Sequence, residues 1–151
     1  MQDSNKHKGM RNRLISELRL KDLYADDVLD AMGRIPRHHF IDSSAFLEFA
    51  YQDTAFPIGA GQTISHPSTV AFQTTLLNIK KGDKVLEIGT GCGFQTAVLC
   101  ELKAKVYSIE RQRELYDKTK VFLEDKRYNA RLFFGDGYKG LPKWAPFDKI
   151  I

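Results

Sequence analysis

Val85-Leu86-Glu87-Ile88-Gly89-Thr90-Gly91-Cys92-Gly93 is the stretch that decides the fold. An apolar run ends in three glycines at alternate positions, and a helix-like run from Gln95 to Leu102 follows. That order spells a buried strand, a tight turn and a helix start. Glycine accepts positive φ and lets a ligand come close to the backbone. The helix N-terminus behind the turn presents N–H groups. Further on, the strand-like run Val106 to Ile109 ends at Glu110. A carboxylate at that point can accept both hydroxyl hydrogens of a ribose, so the two signals together describe a nucleoside-type cofactor site.

Working outward, strands are predicted over 84–88, 105–109, 131–134 and 148–151, with helices over 94–102 and 111–125. Strand–helix alternation with apolar strands implies an α/β fold, a parallel sheet covered on both faces. Ligands bind at the carboxyl ends of such strands, where Gly89 to Gly93, Glu110 and Asp136 all fall. Upstream, residues 10–24 suit an amphipathic helix with Leu14, Ile15, Leu18 and Leu23 near one face. Asp26 or Asp27 can cap a second helix, stopped by Gly33 and Pro36, and Ser43 or Ser44 a third, short one around Ala45 to Ala50. Tyr51 to Ile64 reads as an extended loop. Ser65-His66-Pro67-Ser68 opens a helix running to about Asn78 that buries Val70, Leu76 and Leu77. The expected division is 1–80, helices and a glycine-rich loop, and 81–151, the beginning of the α/β sheet. The apolar strand at the end, Asp148 to Ile151, has an unpaired edge, so the sheet is expected to be truncated there, with further strands beyond.

Composition narrows the classes. At 151 residues and 42% hydrophobic content the chain can bury a core. It has no apolar run of membrane-span length and no signal-peptide pattern in Met1 to Gly9, so a membrane role is not expected. Cys92 and Cys100 form neither a disulfide framework nor a metal pattern, which points to a reducing, cytoplasmic setting. The first 80 residues balance nine basic against nine acidic side chains; the remainder carries fourteen against ten, the whole +4 excess. These charges are interleaved, as on a solvated helix face, and have no aromatic-basic stripe behind them, so no nucleic-acid partner is expected. His38 and His39 are adjacent and should point to different faces, and His66 lacks a partner at ligand spacing; packing or surface roles are expected, and no metal. Trp144, Phe133, Phe134 and Phe147 read as packing residues.

A second constellation is Gly59-Ala-Gly61-Gln62-Thr63-Ile64-Ser65-His66-Pro67. A hydroxyl at a glycine-rich turn before a helix N-terminus suits a carboxylate, while the plainer alternative has Ser65 only capping the helix. The G-x-G-x-G turn at Gly89, Gly91 and Gly93 resembles the first motif of S-adenosylmethionine-dependent methyltransferases. Three segments in order, Tyr51 to Pro67, Val85 to Gly93, and Gly135-Asp136-Gly137 through Pro146-Phe147-Asp148, resemble protein-L-isoaspartate (D-aspartate) O-methyltransferases. Ile35-Pro36-Arg37-His38-His39-Phe40 is similar to a segment of the same family. The likeness runs from about Leu14 to Ile151, with His66 in place of the glutamine common in bacterial members and Cys92 in place of the usual serine or glycine.

The resemblance implies a Rossmann-like methyltransferase fold with an N-terminal helical extension. It implies transfer of the methyl of S-adenosyl-L-methionine to the α-carboxylate of L-isoaspartyl or D-aspartyl residues in damaged proteins and peptides, whose esters then close to a succinimide and are repaired. Ser65 would aim the carboxylate. Gln62, Thr63, Ile64, Glu87, Gly89, Gly91, Gly93, Glu110, Arg111, Asp136 and Gly137 would bind the cofactor. The competing readings are a methyltransferase of the same fold acting on RNA or a small molecule, and a non-catalytic cofactor-binding module.

Overall fold

A strand needs side chains for two faces, and residues 84–88 supply them: Val85 and Leu86 are both buried on alternate sides. The computed structural model describes residues 3–41 and 44–151 and divides the chain into two compact units, Met1–Leu76 and Leu77–Ile151.

The second unit is a four-stranded parallel sheet. Its strands are β3 (Lys84–Ile88), β4 (Lys105–Glu110), β5 (Ala130–Phe134) and β6 (Lys149–Ile150), in the spatial order β5-β4-β3-β6. The helices of the unit are α4 (Phe94–Glu101) and α5 (Arg113–Asp125). The register sets Val85 beside Val106 and Leu86 beside Tyr107. Val85, Val106 and Leu99 of α4 therefore make one core layer with Ile79. Leu86, Tyr107 and Ile109 make the other, under Phe133, Leu141, Trp144 and Phe147. Within this unit α4 packs on the first face, and the aromatic loop after β5 packs on the second. Tyr107 organises that loop, with Trp144 at 5.3 Å and Phe147 at 5.5 Å between ring centroids. Phe134 departs from the packing role: it is 49% exposed under the Arg113 guanidinium.

The first unit holds α1 (Asn5–Arg19), α2 (Asp26–Arg34), the strands β1 (Phe56–Gly59) and β2 (Gln62–Ile64), and α3 (Pro67–Leu77), which ends one residue into the second unit. α1 starts five residues before the predicted helix because the Ser4 side chain accepts the His7 N–H. It stops at Arg19, the chain turning through Asp22 at φ 54°. Leu23 thus lies beyond the helix and is 60% exposed. Ala25 takes the N-cap position of α2 without a side-chain cap, and Asp26 and Asp27 lie instead in its first turn, where their charges favour the dipole; it runs through Gly33 and stops before Pro36. The predicted third helix is a 3-10 turn, Ser44–Phe49, and Ser43 lies outside the described residues.

The predicted extended loop over 51–64 is instead a small antiparallel hairpin, with Phe56 opposite Ile64 and Pro57 opposite Thr63. Ala60 at φ 50° and Gly61 at φ 67° make its turn, the left-handed pair that matches strand twist. Leu76, expected in the core, is 69% exposed, whereas Val70, Ala71 and Thr74 form the buried stripe of α3. Among the described residues, no helix is long and apolar enough to cross a membrane.

Candidate functional site

The glycine turn between β3 and α4 is bound to the neighbouring strand. The Gly89 and Thr90 N–H groups donate to the Ile109 carbonyl at 2.8 and 3.2 Å, and the Thr90 and Ser108 hydroxyls share a hydrogen bond of 2.6 Å. Gly89, at φ 94°, is exposed, and a Cβ there would meet nothing within 4 Å. The backbone is bare where a ligand would lie. Gly93, at φ 86°, has the opposite reason for being glycine: a Cβ would sit 2.9 Å from Thr119 and 3.0 Å from Leu123 on α5.

Glu110 closes β4 and is 5% exposed. Its two oxygens accept the Gly91 N–H at 2.9 Å and the Gln112 N–H at 2.7 Å. The carboxylate is thereby oriented, and each oxygen keeps a lone pair for a further donor. Asp136 follows β5; it is exposed, and one oxygen accepts the Tyr138 N–H at 3.0 Å. Gly137 leans on Ile88, which a Cβ would strike. Arg111 is exposed. Gly89, Gly91, Glu110, Arg111, Asp136 and Gly137 thus gather at the carboxyl ends of β3, β4 and β5. A bare backbone, an oriented acid and an exposed second acid fit a nucleoside cofactor.

Glu87 lies deeper than the others. It is 2% exposed, and one oxygen accepts the Thr96 hydroxyl at 2.6 Å while Oε1 lacks a hydrogen bond. Burial raises its carboxyl to about 7, against the nearby Ser108 and Thr96 hydroxyls, and the Glu110 charge adds to the rise. The folded protein holds this proton more tightly than the unfolded chain, so stability is full below about pH 4.5 and falls as pH rises through about 7. Glu87→Gln, which stays neutral, should gain stability relative to the parent over that window, by on the order of 3 kcal/mol. Urea unfolding at pH 5 and pH 8 reads the difference; an equal gap at both would contradict the buried-acid account.

In the first unit, the segment 59–67 is fixed from below by Arg37. This side chain is 1% exposed, and it donates to the Ala50 carbonyl at 3.0 Å, the Thr54 carbonyl at 3.3 Å and the Ser65 carbonyl at 2.9 Å. Gln62 and Thr63 are exposed on β2, while the Ile64 side chain is buried, leaving its backbone to make any contact. Ser65 is exposed, and its hydroxyl makes no hydrogen bond among the described residues. The capping that Ser65 could have supplied falls to Asp53, which accepts the Ser68 N–H at 2.8 Å. The Asp53 carboxyl is held below its usual range: burial opposes the shift, but hydrogen bonds from Ser68 and the Lys21 charge outweigh it.

The histidines form a packing cluster. His38 and His39, expected on different faces, touch at 4.4 Å because a 3-10 turn, not a helix or strand, carries them. His38 is fully buried, stacked on His7 at 3.8 Å, with Nδ1 bonded to the Tyr51 hydroxyl at 2.7 Å. Asp3, His7 and His38 offer ligand atoms within 4.8 Å of one another. Asp3 is already clasped by Arg11 at 3.1 and 3.0 Å, and the Nδ1 atoms of His7 and His38 are bonded to the Ser4 and Tyr51 hydroxyls. Burial, with the His39 and His7 charges, lowers His38 to about 4.

Residues 9–151 match the family model for protein-L-isoaspartate(D-aspartate) O-methyltransferase. The chain belongs to this family. The protein-L-isoaspartate O-methyltransferase of Christiangramia forsetii is 62% identical over all of this chain, which spans 71% of that relative. That of Salinibacter ruber is 46% identical, with 99% of this chain and 64% of the relative covered. A solved protein-L-isoaspartate O-methyltransferase superposes with a TM-score of 0.84 at 32% identity, covering 93% of this chain and 46% of that one. A Plasmodium falciparum structure of the same description, in complex with S-adenosyl-L-homocysteine, has a TM-score of 0.75 at 24% identity and covers 97% and 72%. That last likeness speaks for the fold alone. The fold is thus the Rossmann-like methyltransferase fold, the family is enzymatic, and its methyl donor is S-adenosylmethionine.

Sequence reading missed Thr119, Thr96 and Asp53. Thr119 could have been found: it interrupts an apolar stripe, Leu115 and Leu123 at four-residue spacing, where a buried hydroxyl needs a partner.

Proposed function

We propose that this chain serves the reaction of its family, methyl transfer to an isoaspartyl α-carboxylate. In the second unit, Gly89 and Gly91 pass close to the cofactor, Glu110 receives its ribose hydroxyls, and Asp136 and Gly137 flank its base, with Gly93 holding the turn and Arg111 at the rim. Glu87 contributes from beneath the turn. In the first unit, Gln62, Thr63 and Ile64 serve cofactor binding, and the Ser65 hydroxyl donates to the substrate carboxylate. S-adenosylmethionine, when bound, supplies a methyl already activated on a sulfonium centre. The chain itself has little acid–base work to do, because the carboxylate is ionised at neutral pH. Its residues orient that carboxylate and keep water away. The reducing, cytoplasmic setting belongs to this proposal, as does the exclusion of nucleic acid as substrate.

The observation that carries the substrate half is the exposed Ser65 hydroxyl, released from capping by Asp53. Ser65→Ala should therefore lower turnover on isoaspartyl peptide at least tenfold, about one strong hydrogen bond, while stability stays within about 0.5 kcal/mol. A capping serine would give the reverse, about 0.5–2 kcal/mol of stability lost and normal turnover. Thermal melts and turnover on one preparation decide between the two.

A further inference from the structure

We propose that Thr119 is a positioning residue for the cofactor, acting through Gly91. Gly91 is gripped on both sides: its N–H, in the peptide to Thr90, donates to Glu110 at 2.9 Å, and its carbonyl, in the peptide to Cys92, accepts the Thr119 hydroxyl at 2.6 Å. Thr119 is 2% exposed in the middle of α5, and its methyl group lies where a side chain on Gly93 would go. One side chain therefore fixes both later glycines, by a hydrogen bond to Gly91 and by contact beneath Gly93.

Gly91 sits at φ 55° and has no side chain to hold the two peptide planes it joins. With the hydroxyl removed, the carbonyl loses its partner in a half-buried place and the Gly91–Cys92 peptide is free to turn about the ψ of Gly91. Glu110 still holds the N–H of the preceding peptide, but the backbone from Gly91 to Gly93 is less fixed. The turn would still form, but in several orientations, and a ligand would have to select one before binding. That cost falls on cofactor affinity rather than on the transfer step. The inference rests on the reading of Glu110 as the ribose acceptor.

The test is calorimetric titration of the full-length protein with S-adenosylhomocysteine, alongside Glu110→Ala. Thr119→Val keeps the shape and the methyl under Gly93 but removes the hydroxyl; it should weaken binding about three- to tenfold and raise the KM for the methyl donor more than it lowers kcat. Thr119→Ser keeps the hydroxyl and should bind within about twofold of the parent. Unchanged affinity in Thr119→Val with a lowered melting temperature, while Glu110→Ala is weakened, overturns this inference alone. Unchanged affinity in both overturns the Glu110 reading as well. Amide exchange adds a second reading: faster exchange across Gly91 to Gly93 in Thr119→Val than in the parent supports the clamp, and identical exchange in the two overturns it.

Discussion

Gly93→Ala is expected to cost about 2–5 kcal/mol of stability, the largest effect of any single methyl in the turn. Two penalties coincide there. The residue is at φ 86°, a left-handed conformation that costs an L-residue about 1–2 kcal/mol. The new carbon would also lie 2.9 Å from Thr119 and 3.0 Å from Leu123, an overpacking worth about 1–3 kcal/mol. Neither partner has room to yield, since Leu123 is 1% exposed and Thr119 2%. Gly89→Ala is the control. At φ 94° it carries the same backbone strain but meets nothing within 4 Å, so its smaller stability loss should come with impaired ligand binding. Denaturant unfolding of the pair reads the difference. Equal losses would mean that α5 does not lie against the turn.

Glu110→Ala is expected to weaken S-adenosylhomocysteine binding about ten- to a hundredfold, the value of a charge-assisted hydrogen bond of about 1.5–3 kcal/mol. The side chain does more than meet a ribose. It receives the Gly91 N–H and the Gln112 N–H that opens α5, so its removal leaves two backbone donors without their acceptor. Some stability is lost along with affinity. Glu110→Gln separates these roles: an amide oxygen can keep one of the two N–H groups, but the charge that strengthens a bond to a hydroxyl is gone. Stability between those of the parent and Glu110→Ala, with binding still weakened, is the expected result for Gln. Undiminished affinity in both variants would reduce Glu110 to a strap for the turn.

What could be read from the chain was what local chemistry dictates. Apolar alternation gave the strands from Lys84 onward to within a residue or two. Glycine spacing gave the turn, and a carboxylate at a strand end gave Glu110. What could not be read depended on partners distant in sequence. Within the predicted loop, residues 56–64 pair as a hairpin because Phe56 meets Ile64, and their glycines and proline fit a loop equally well. Ser65 could be read as a carboxylate-binding hydroxyl or as a cap, and the Asp53 bond to Ser68 shows that a cap is supplied elsewhere. Leu76 has helical spacing with the buried residues of α3 but faces outward, since the stripe is set by Val70, Ala71 and Thr74. Glu87 resembled its neighbours in the motif, yet strand parity turns it under α4, where it behaves as a buried acid.

The central claim is that this chain serves methyl transfer to an isoaspartyl carboxylate. Its most direct test is methyl incorporation from labelled S-adenosylmethionine by the purified full-length protein into an isoaspartyl peptide, its aspartyl twin and bulk RNA. The account predicts a base-labile methyl ester on the isoaspartyl peptide and background on the other two. Equal methylation of the two peptides, or methylation of RNA with neither peptide modified, would contradict it.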